Sequence, residues 1–366
     1  MAKMVNICDV CSEIFAGGDA PKNNMSIVQT DEYNVPIYSN GEANDGLYGF
    51  TNFARVSEPS ITISARGTIG YTSIRNTPFV PIVRLITLVP KKDVIDIRYL
   101  FYAAQNYHFD GSGTSIPQLT VPALKKYNFP LPTIAEQKKI VVVLDKICDL
   151  ITLRKQQLLK LDELVKSRFI ELFEKEEYKK VTVSSVLNTG FWLMPATPEF
   201  MVDGEVPYIT SKNIKNRTID FDNVKYISRE AYKSISANRP TQKGDILISM
   251  IGTLGQTAVI QDDREFYGQN LYLLRLNNAI VNTTYFCEFF NSDTAQYKLQ
   301  GKRNQSTQAY LKANHVEDLI LPLPPMKLQE QFAAFVEQTD KSKLAIQQSL
   351  EKLETLKKAL MQKYFG

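Results

Sequence analysis

Histidine and cysteine are scarce in this chain, with two of the first and four of the second among 366 residues. General acid–base, nucleophilic and metal chemistry draw heavily on these side chains, so few catalytic constellations can be assembled. Cys8, Cys11, Cys148 and Cys287 make one CxxC and no second pair. Signature motifs are missing as well: there is no Asn/Asp-Pro-Pro-Tyr/Phe of methyltransferases, no glycine-rich cofactor loop opening a helix and no GxxxxGK[ST] for ATP. No catalytic residue, cofactor or metal is therefore expected. Long apolar runs are also absent, since Arg84 breaks the stretch from Val80 to Val89, and the first residues carry no signal-like apolar segment. Neither secretion nor a membrane span is expected, and the chain is placed in the cytoplasm. Charge is not one-sided. The formal net charge of +4 is compatible with a polyanionic partner but too small to argue for nucleic acid by itself.

What the chain does have is a duplication. From Leu119 to Phe173 it repeats at an offset of 192 residues without a gap: Leu119 matches Leu311, Pro130-Leu131-Pro132 matches Pro322-Leu323-Pro324, Gln137 matches Gln329 and Phe173 matches Phe365. Upstream the offset drifts. Val5-Asn6-Ile7 resembles Val181-Thr182-Val183, Val35-Pro36 resembles Val206-Pro207, and Ile63-Ser64 before Gly67-Thr68-Ile69-Gly70 resembles Ile248-Ser249 before Gly252-Thr253-Leu254-Gly255. So long a period means two whole domains rather than a solenoid of small units. A frame that is kept while its loops change length suits a scaffold presenting two different recognition surfaces. Apolar residues at 44% and charged residues at 22% fit about two globular domains plus extra structure.

The repeat serves as an internal control. Cys8 and Cys11 correspond to Ser184 and Leu187, and leucine cannot replace a zinc ligand, so Cys11 reads as a small buried apolar residue. His108 and His315 do not coincide under the repeat, which argues against a shared catalytic role. Both read as surface or half-buried residues.

Each copy ends in a predicted long helix. Ile140, Leu144, Ile147, Ile151, Leu158, Leu161, Val165 and Leu172 recur at alternating spacings of three and four, interrupted by Arg154 and Arg168. The second copy gives Phe332, Val336, Ile346, Leu350, Leu353, Leu360 and Tyr364, with Thr339, Lys343 and Lys357 between. A seam of about 40 residues, roughly 60 Å long, overruns a small domain, so the two helices are natural partners for each other. An internal two-fold axis would set them antiparallel. The alternative is that each helix lies on its own domain. Ahead of the helices, Ser60 to Ser64, Val80 to Val89, Asp245 to Met250 and Leu271 to Leu276 read as strands, and Ile97 to Asn106 and Thr284 to Asn291 as short aromatic-rich helices. The two GxxG segments read as glycine turns joining strands. In one RNA-binding fold such a segment clamps a phosphate backbone instead.

Twice over, Ile-Ser leads to Gly-Thr-Ile/Leu-Gly, then a polar loop (Gly111 to Gln118, Lys302 to Gln308), then Phe/Leu-Pro-Leu-Pro and a long helix. This doubled order resembles the specificity subunit of Type I restriction-modification systems, over essentially the whole chain. The resemblance implies an α+β fold: a tandem duplication of two mixed α/β target recognition domains, each followed by a long helix, the helices pairing as an antiparallel coiled coil with pseudo-two-fold symmetry. The expected domains are residues 1–132, helix 133–177, residues 178–324 and helix 325–366. It further implies a non-enzymatic subunit that binds double-stranded DNA at a bipartite asymmetric target, with the helix pair as a ruler. The implied partners are two modification (methyltransferase) subunits, joined by restriction and motor subunits in the full complex. Glu136, Gln137 and Gln329, at the helix openings, are the expected partner contacts, although Lys327-Leu328-Gln329 departs from the usual Ala-Glu-Gln.

Bases are read in the major groove by side chains that pair donors and acceptors. The first-half candidates are Ser39, Asn40, Arg66, Thr68, Tyr71, Thr114, Ser115 and Gln118. In the second half they are Lys212, Asn213, Arg217, Thr253, Gln256, Lys302, Arg303, Gln305 and Gln308, with Lys302-Arg303 as a phosphate anchor. The competing reading, from a different class, is a protein-interaction scaffold of duplicated domains on a coiled coil, without DNA contact. A fused methyltransferase is a third, opposed by the missing motifs. The target bases are not legible in this chain.

Overall fold

A heptad stripe longer than one small domain must find cover, and it does so in both halves of the chain. The computed structural model describes residues 2–107, 118–193, 198–215, 217–252, 254–301 and 310–366. The first long helix runs Ile134–Phe169 and ends in a π-turn at Ile170–Glu174; the second runs Met326–Phe365. The chain forms two compact units, Met1–Gln156 with Gln347–Gly366, and Gln157–Ile346. The division thus falls inside both helices. Each unit holds the start of one helix and the end of the other.

Within each unit the two helices run in opposite directions. In the first, Val141 and Leu144 share a core with Met361 and Phe365, and Lys155 meets Glu354 at 3.3 Å. In the second, Phe169 packs on Phe332 with ring centroids 5.7 Å apart, while Lys343 meets Asp162 at 2.7 Å. The pattern of three and four residues marks the covered side closely. Phe332, Val336, Thr339 and Leu350 are buried, and Lys343, Ile346 and Leu353 are half-buried. Thr339 is accommodated because its hydroxyl donates back to the Phe335 carbonyl at 2.9 Å.

The body of the first unit has strands β1 (Lys3–Asn6), β2 (Cys11–Ala16), β3 (Val35–Tyr38), β4 (Leu47–Thr51), β5 (Ser60–Ile63), β6 (Thr72–Arg75), β7 (Val80–Pro81), β8 (Ile86–Pro90) and β9 (Asn128–Leu131). The second has β10 (Lys179–Thr182), β11 (Leu187–Leu193), β12 (Val206–Ile209), β13 (Ile214–Lys215), β14 (Thr218–Ile219), β15 (Lys225–Ile227), β16 (Ile246–Ser249), β17 (Thr257–Val259), β18 (Tyr267–Gly268), β19 (Leu271–Leu276) and β20 (Ile320–Leu323). The sheet orders β2-β8-β5-β6, β4-β3-β7 and β1-β9 recur as β11-β19-β16-β17, β15-β12-β18 and β10-β20. Only the β13-β14 hairpin is extra among the described strands. The chain is therefore a tandem duplication of one α+β frame.

Val80 to Val89 is not the single strand that its apolar character predicts. The chain leaves the three-stranded sheet after Pro81 and joins the four-stranded sheet at Ile86, and Val83 and Arg84 turn it with positive φ of 51° and 63°. Asn270, φ 62°, makes the same switch between β18 and β19. Both GxxG segments are hairpin turns. Gly67, Gly70, Gly252 and Gly255 all have positive φ, and the bonds Ser64 N–H to Tyr71 O and Gly70 N–H to Ser64 O recur as Ser249 N–H to Gln256 O and Gly255 N–H to Ser249 O. Ile69 and Leu254, third in each turn, pack into the core below.

The helices Ile97–Asn106 and Thr283–Asn291 lie where aromatic-rich helices are expected, and a matched set of contacts ties each to the start of a long helix. Tyr99 donates to the Pro130 carbonyl at 2.8 Å, as Tyr285 does to Pro322 at 2.6 Å. Gln137 accepts from Asp96 N–H at 2.8 Å and donates to Pro132 O at 2.9 Å and Val94 O at 3.3 Å. Gln329 accepts from Asn282 N–H at 2.8 Å and donates to Pro324 O at 2.8 Å and Ile280 O at 3.4 Å. Both glutamines are wholly buried. This corrects their assignment as partner contacts, because their hydrogen-bonding atoms are engaged inside the fold. Only Glu136 of that set is exposed, where its carboxylate accepts from the Thr133 N–H and hydroxyl as half of a capping pair. Those two bonds hold its carboxyl below the ordinary carboxylate value.

Removing either glutamine leaves a buried N–H and buried carbonyls unsatisfied. Gln137→Ala and Gln329→Ala are each expected to cost about 1–3 kcal/mol, read as a lower urea midpoint. A variant that unfolds with the parent would show that the amide does not hold helix to body.

Candidate nucleic-acid interface

The first unit carries an open groove of about 1000 Å³, lined by residues that include Gly17, Lys22, Asn24, Arg66, Val83 and Arg84. Three of the sequence-predicted residues meet beside it. Arg66 donates through Nε and a terminal nitrogen to Gln118 Oε1, at 3.1 and 2.9 Å, and Arg84 donates to the same oxygen at 3.3 Å. Asn40 donates to Val83 O at 2.6 Å and accepts from Ala65 N–H at 2.7 Å. Its carboxamide thus clamps together the two backbones that carry Arg66 and Arg84. A left-handed valine costs about 1–2 kcal/mol. That strain is held by Val83 N–H to Gly18 O at 2.7 Å, Arg84 N–H to Gly17 O at 3.0 Å and Leu85 N–H to Ile82 O at 3.0 Å. Gly17 permits the approach, since a Cβ there would lie 2.6 Å from the Pro81 carbonyl carbon.

The remaining first-half candidates are dispersed. Thr68 is exposed at the tip of the glycine turn, and Ser39 is half-buried with its N–H on Gly46 O. Tyr71 donates to Asp45 at 2.9 Å; burial, then the Asp45 hydrogen bond, raises its hydroxyl above the ordinary tyrosine value. Asp45 also takes the buried Arg75, whose guanidinium lies 3.6 Å from the Tyr38 ring centre. Thr114, Ser115 and His108 lie outside the described residues.

In the second unit, Lys212 and Gln256 are exposed. Asn213 accepts from Thr210 N–H at 2.9 Å and donates to Asp220 O at 3.0 Å, so its amide holds a turn. Arg217 is engaged elsewhere: both terminal nitrogens bond to Glu288, which is only 5% exposed. A guanidinium spent on a buried carboxylate is a poor base reader, which corrects the expectation for Arg217. Thr253, Lys302, Arg303, Gln305 and Gln308 lie outside the described residues.

Sequence reasoning missed Arg84, treated only as a break in an apolar run. The usable signal was the Val-Arg pair between two strand-like segments, which demands a turn there. The described residues include no cluster of three or more His, Cys, Asp or Glu able to hold a metal, and no helix long and apolar enough to cross a membrane. Cys8 is exposed and Cys11 buried, with burial pushing the Cys11 thiol up to about 12.

A duplicated α+β frame that keeps its hydrogen-bonded scaffold and varies its loops defines a class of modular scaffold whose rims can differ independently. The family model of the Type I restriction modification DNA specificity domain matches residues 2–163 and 175–357, and the chain belongs to that family. A Mycoplasma pneumoniae chain bearing the name type I specificity subunit S.MpnORF89P is 35% identical over 150 residues, 41% of this chain and 44% of that one. The match spans less than half of that relative's length. The MjaIX type I restriction enzyme specificity subunit of Methanocaldococcus jannaschii is 24% identical over 335 residues, 83% of this chain and 76% of its own. The crystal structure of the Type-I restriction-modification system S subunit from M. genitalium shares the fold, with TM-score 0.61 at 16% identity over 100% of this chain and 96% of that one.

Glu288 makes a testable contribution to stability. Burial raises its carboxyl above the ordinary value, opposed by Arg217. A folded-state value above the unfolded one gives stability that is complete below about 4.5 and is lost as pH rises through the folded value. As pH rises from about 4.5 to the folded value, Glu288→Gln should therefore lose less stability than the parent in urea titrations. Parallel profiles would refute the assignment.

Proposed function

We propose that the chain is the non-catalytic DNA-recognition subunit of a Type I system, reading a bipartite, asymmetric duplex target with one half-site per recognition domain. The observation that carries this is the duplicated frame: matched sheets, matched glycine turns and matched glutamine staples hold rims with different side chains. Family membership and the names of the relatives support the reading. The recognition domains are proposed as residues 1–132 and 178–324, with 133–177 and 325–366 as the spacer helices. Among the reading candidates, Arg66, Thr68 and Gln118 in the first half and Lys212 and Gln256 in the second remain proposed DNA contacts. Ser39, Thr114, Ser115, Thr253, Lys302, Arg303, Gln305 and Gln308 stay in the set on sequence grounds.

Two modification subunits are the proposed partners, with restriction and motor subunits joining for cleavage. The helices offer a surface for them. Val143 and Leu150, seven residues apart on the first helix, are each at least 40% exposed. Glu136 is the proposed polar contact beside these two residues.

Exchanging residues 1 to about 118 for those of a relative should change one half-site and leave the other intact, as read by methylation mapping in cells. A chimera that assembles and alters both half-sites would overturn independent reading. Light scattering of the co-expressed complex should give one such chain to two modification chains, and a stable equimolar complex with no further uptake would refute that count.

A further inference from the structure

Several of the described arginines are neutralised by acids, as Arg98 is by Asp145, Arg229 by Glu205 and Glu265, and Arg275 by Asp245. Arg66 and Arg84 differ, because both converge on one uncharged atom, Gln118 Oε1. An amide oxygen orients a guanidinium without cancelling its charge, so the groove keeps two cationic forks side by side. Lys22 adds a third cation, and Asp19 is the one acid among the groove's described lining residues.

We propose that Arg84, paired with Arg66 across Gln118, is a DNA-contacting residue of the first half, gripping a two-acceptor edge of the duplex. That edge is the O6 and N7 of a guanine or a pair of phosphate oxygens, both matched by a guanidinium fork. The proposal rests on the reading of the chain as a DNA-recognition subunit and adds which residues make the contact. Asn40 is a positioning residue. Its single carboxamide fixes the left-handed Val83-Arg84 turn against the backbone next to Arg66. Backbone strain over-determined in this way is characteristic of sites that must aim a side chain. The second unit makes the equivalent sheet switch with Gln269-Asn270 and no arginine, so the contact belongs to one half-site only.

The test uses the full chain, random-sequence duplexes and a series of salt concentrations. Arg84→Ala should weaken duplex binding about tenfold or more. Arg229→Ala, which removes an acid-paired arginine, should not. A phosphate contact lowers the slope of log affinity against log salt by about one and weakens all sequences alike. A guanine contact instead relaxes one position of the first half-site in duplexes selected from a random pool, with the second half-site unchanged. Either result supports the proposal. Arg84→Lys keeps the charge but not the fork, so it should restore a phosphate contact and not a guanine one. Asn40→Ala should reproduce the Arg84→Ala phenotype while keeping a cooperative melt. An Arg84→Ala chain matching the parent in affinity, salt slope and selected sequence overturns the proposal while leaving the DNA reading standing. A parent chain that retains no duplex removes the DNA reading and this proposal with it.

Discussion

The constraint on which the structure depends is the cover required by two long apolar stripes. Neither helix body supplies its own. The first helix starts against Tyr99 in one unit and ends with Phe173 against Tyr285 in the other, and the second starts beside Tyr285 and ends with Phe365 against Tyr99. Each aromatic anchor is thus completed by a residue more than a hundred positions away in the chain. Losing a buried phenylalanine of this kind costs about 3–5 kcal/mol. That accounts for the recurrence of Phe173 and Phe365 at the same place in the two copies.

Duplication separates what the frame needs from what its rims are free to change. The frame keeps buried groups that satisfy backbone atoms: the glutamine staples, the tyrosine hydroxyls on Pro130 and Pro322, and the paired bonds of the glycine turns. These are costly to lose because they sit where water cannot replace them. At the rims the copies diverge. Arg75 and Asp45 brace one turn and Arg275 and Asp245 another, Asn40 clamps two backbones in the first unit, and Arg217 holds Glu288 in the second.

Polar residues near a turn therefore fall into two groups that look alike in sequence. Asn40, Asn213 and Arg217 are bound inward by partners 25 and 43, 3 and 7, and 71 residues away. Arg66, Arg84 and Gln118 meet at a groove. Gln137 and Gln329 show the same ambiguity. Their recurrence at the helix openings suggested a surface for partners, whereas burial shows that they recur because helix and body must be joined.

The sequence by itself determined the duplication, the two long helices and their covered sides, because these depend on local periodicity and on register between copies. It also determined the short aromatic helices and the glycine turns, which follow from neighbouring residues. Tertiary structure alone decided that Val80 to Val89 breaks to change sheets, and which polar side chains face inward. The physical reason is range. Periodicity and turn chemistry are written within a few residues, whereas the orientation of a loop side chain is fixed by whichever distant atom satisfies it, and that pairing exists only after the chain has folded.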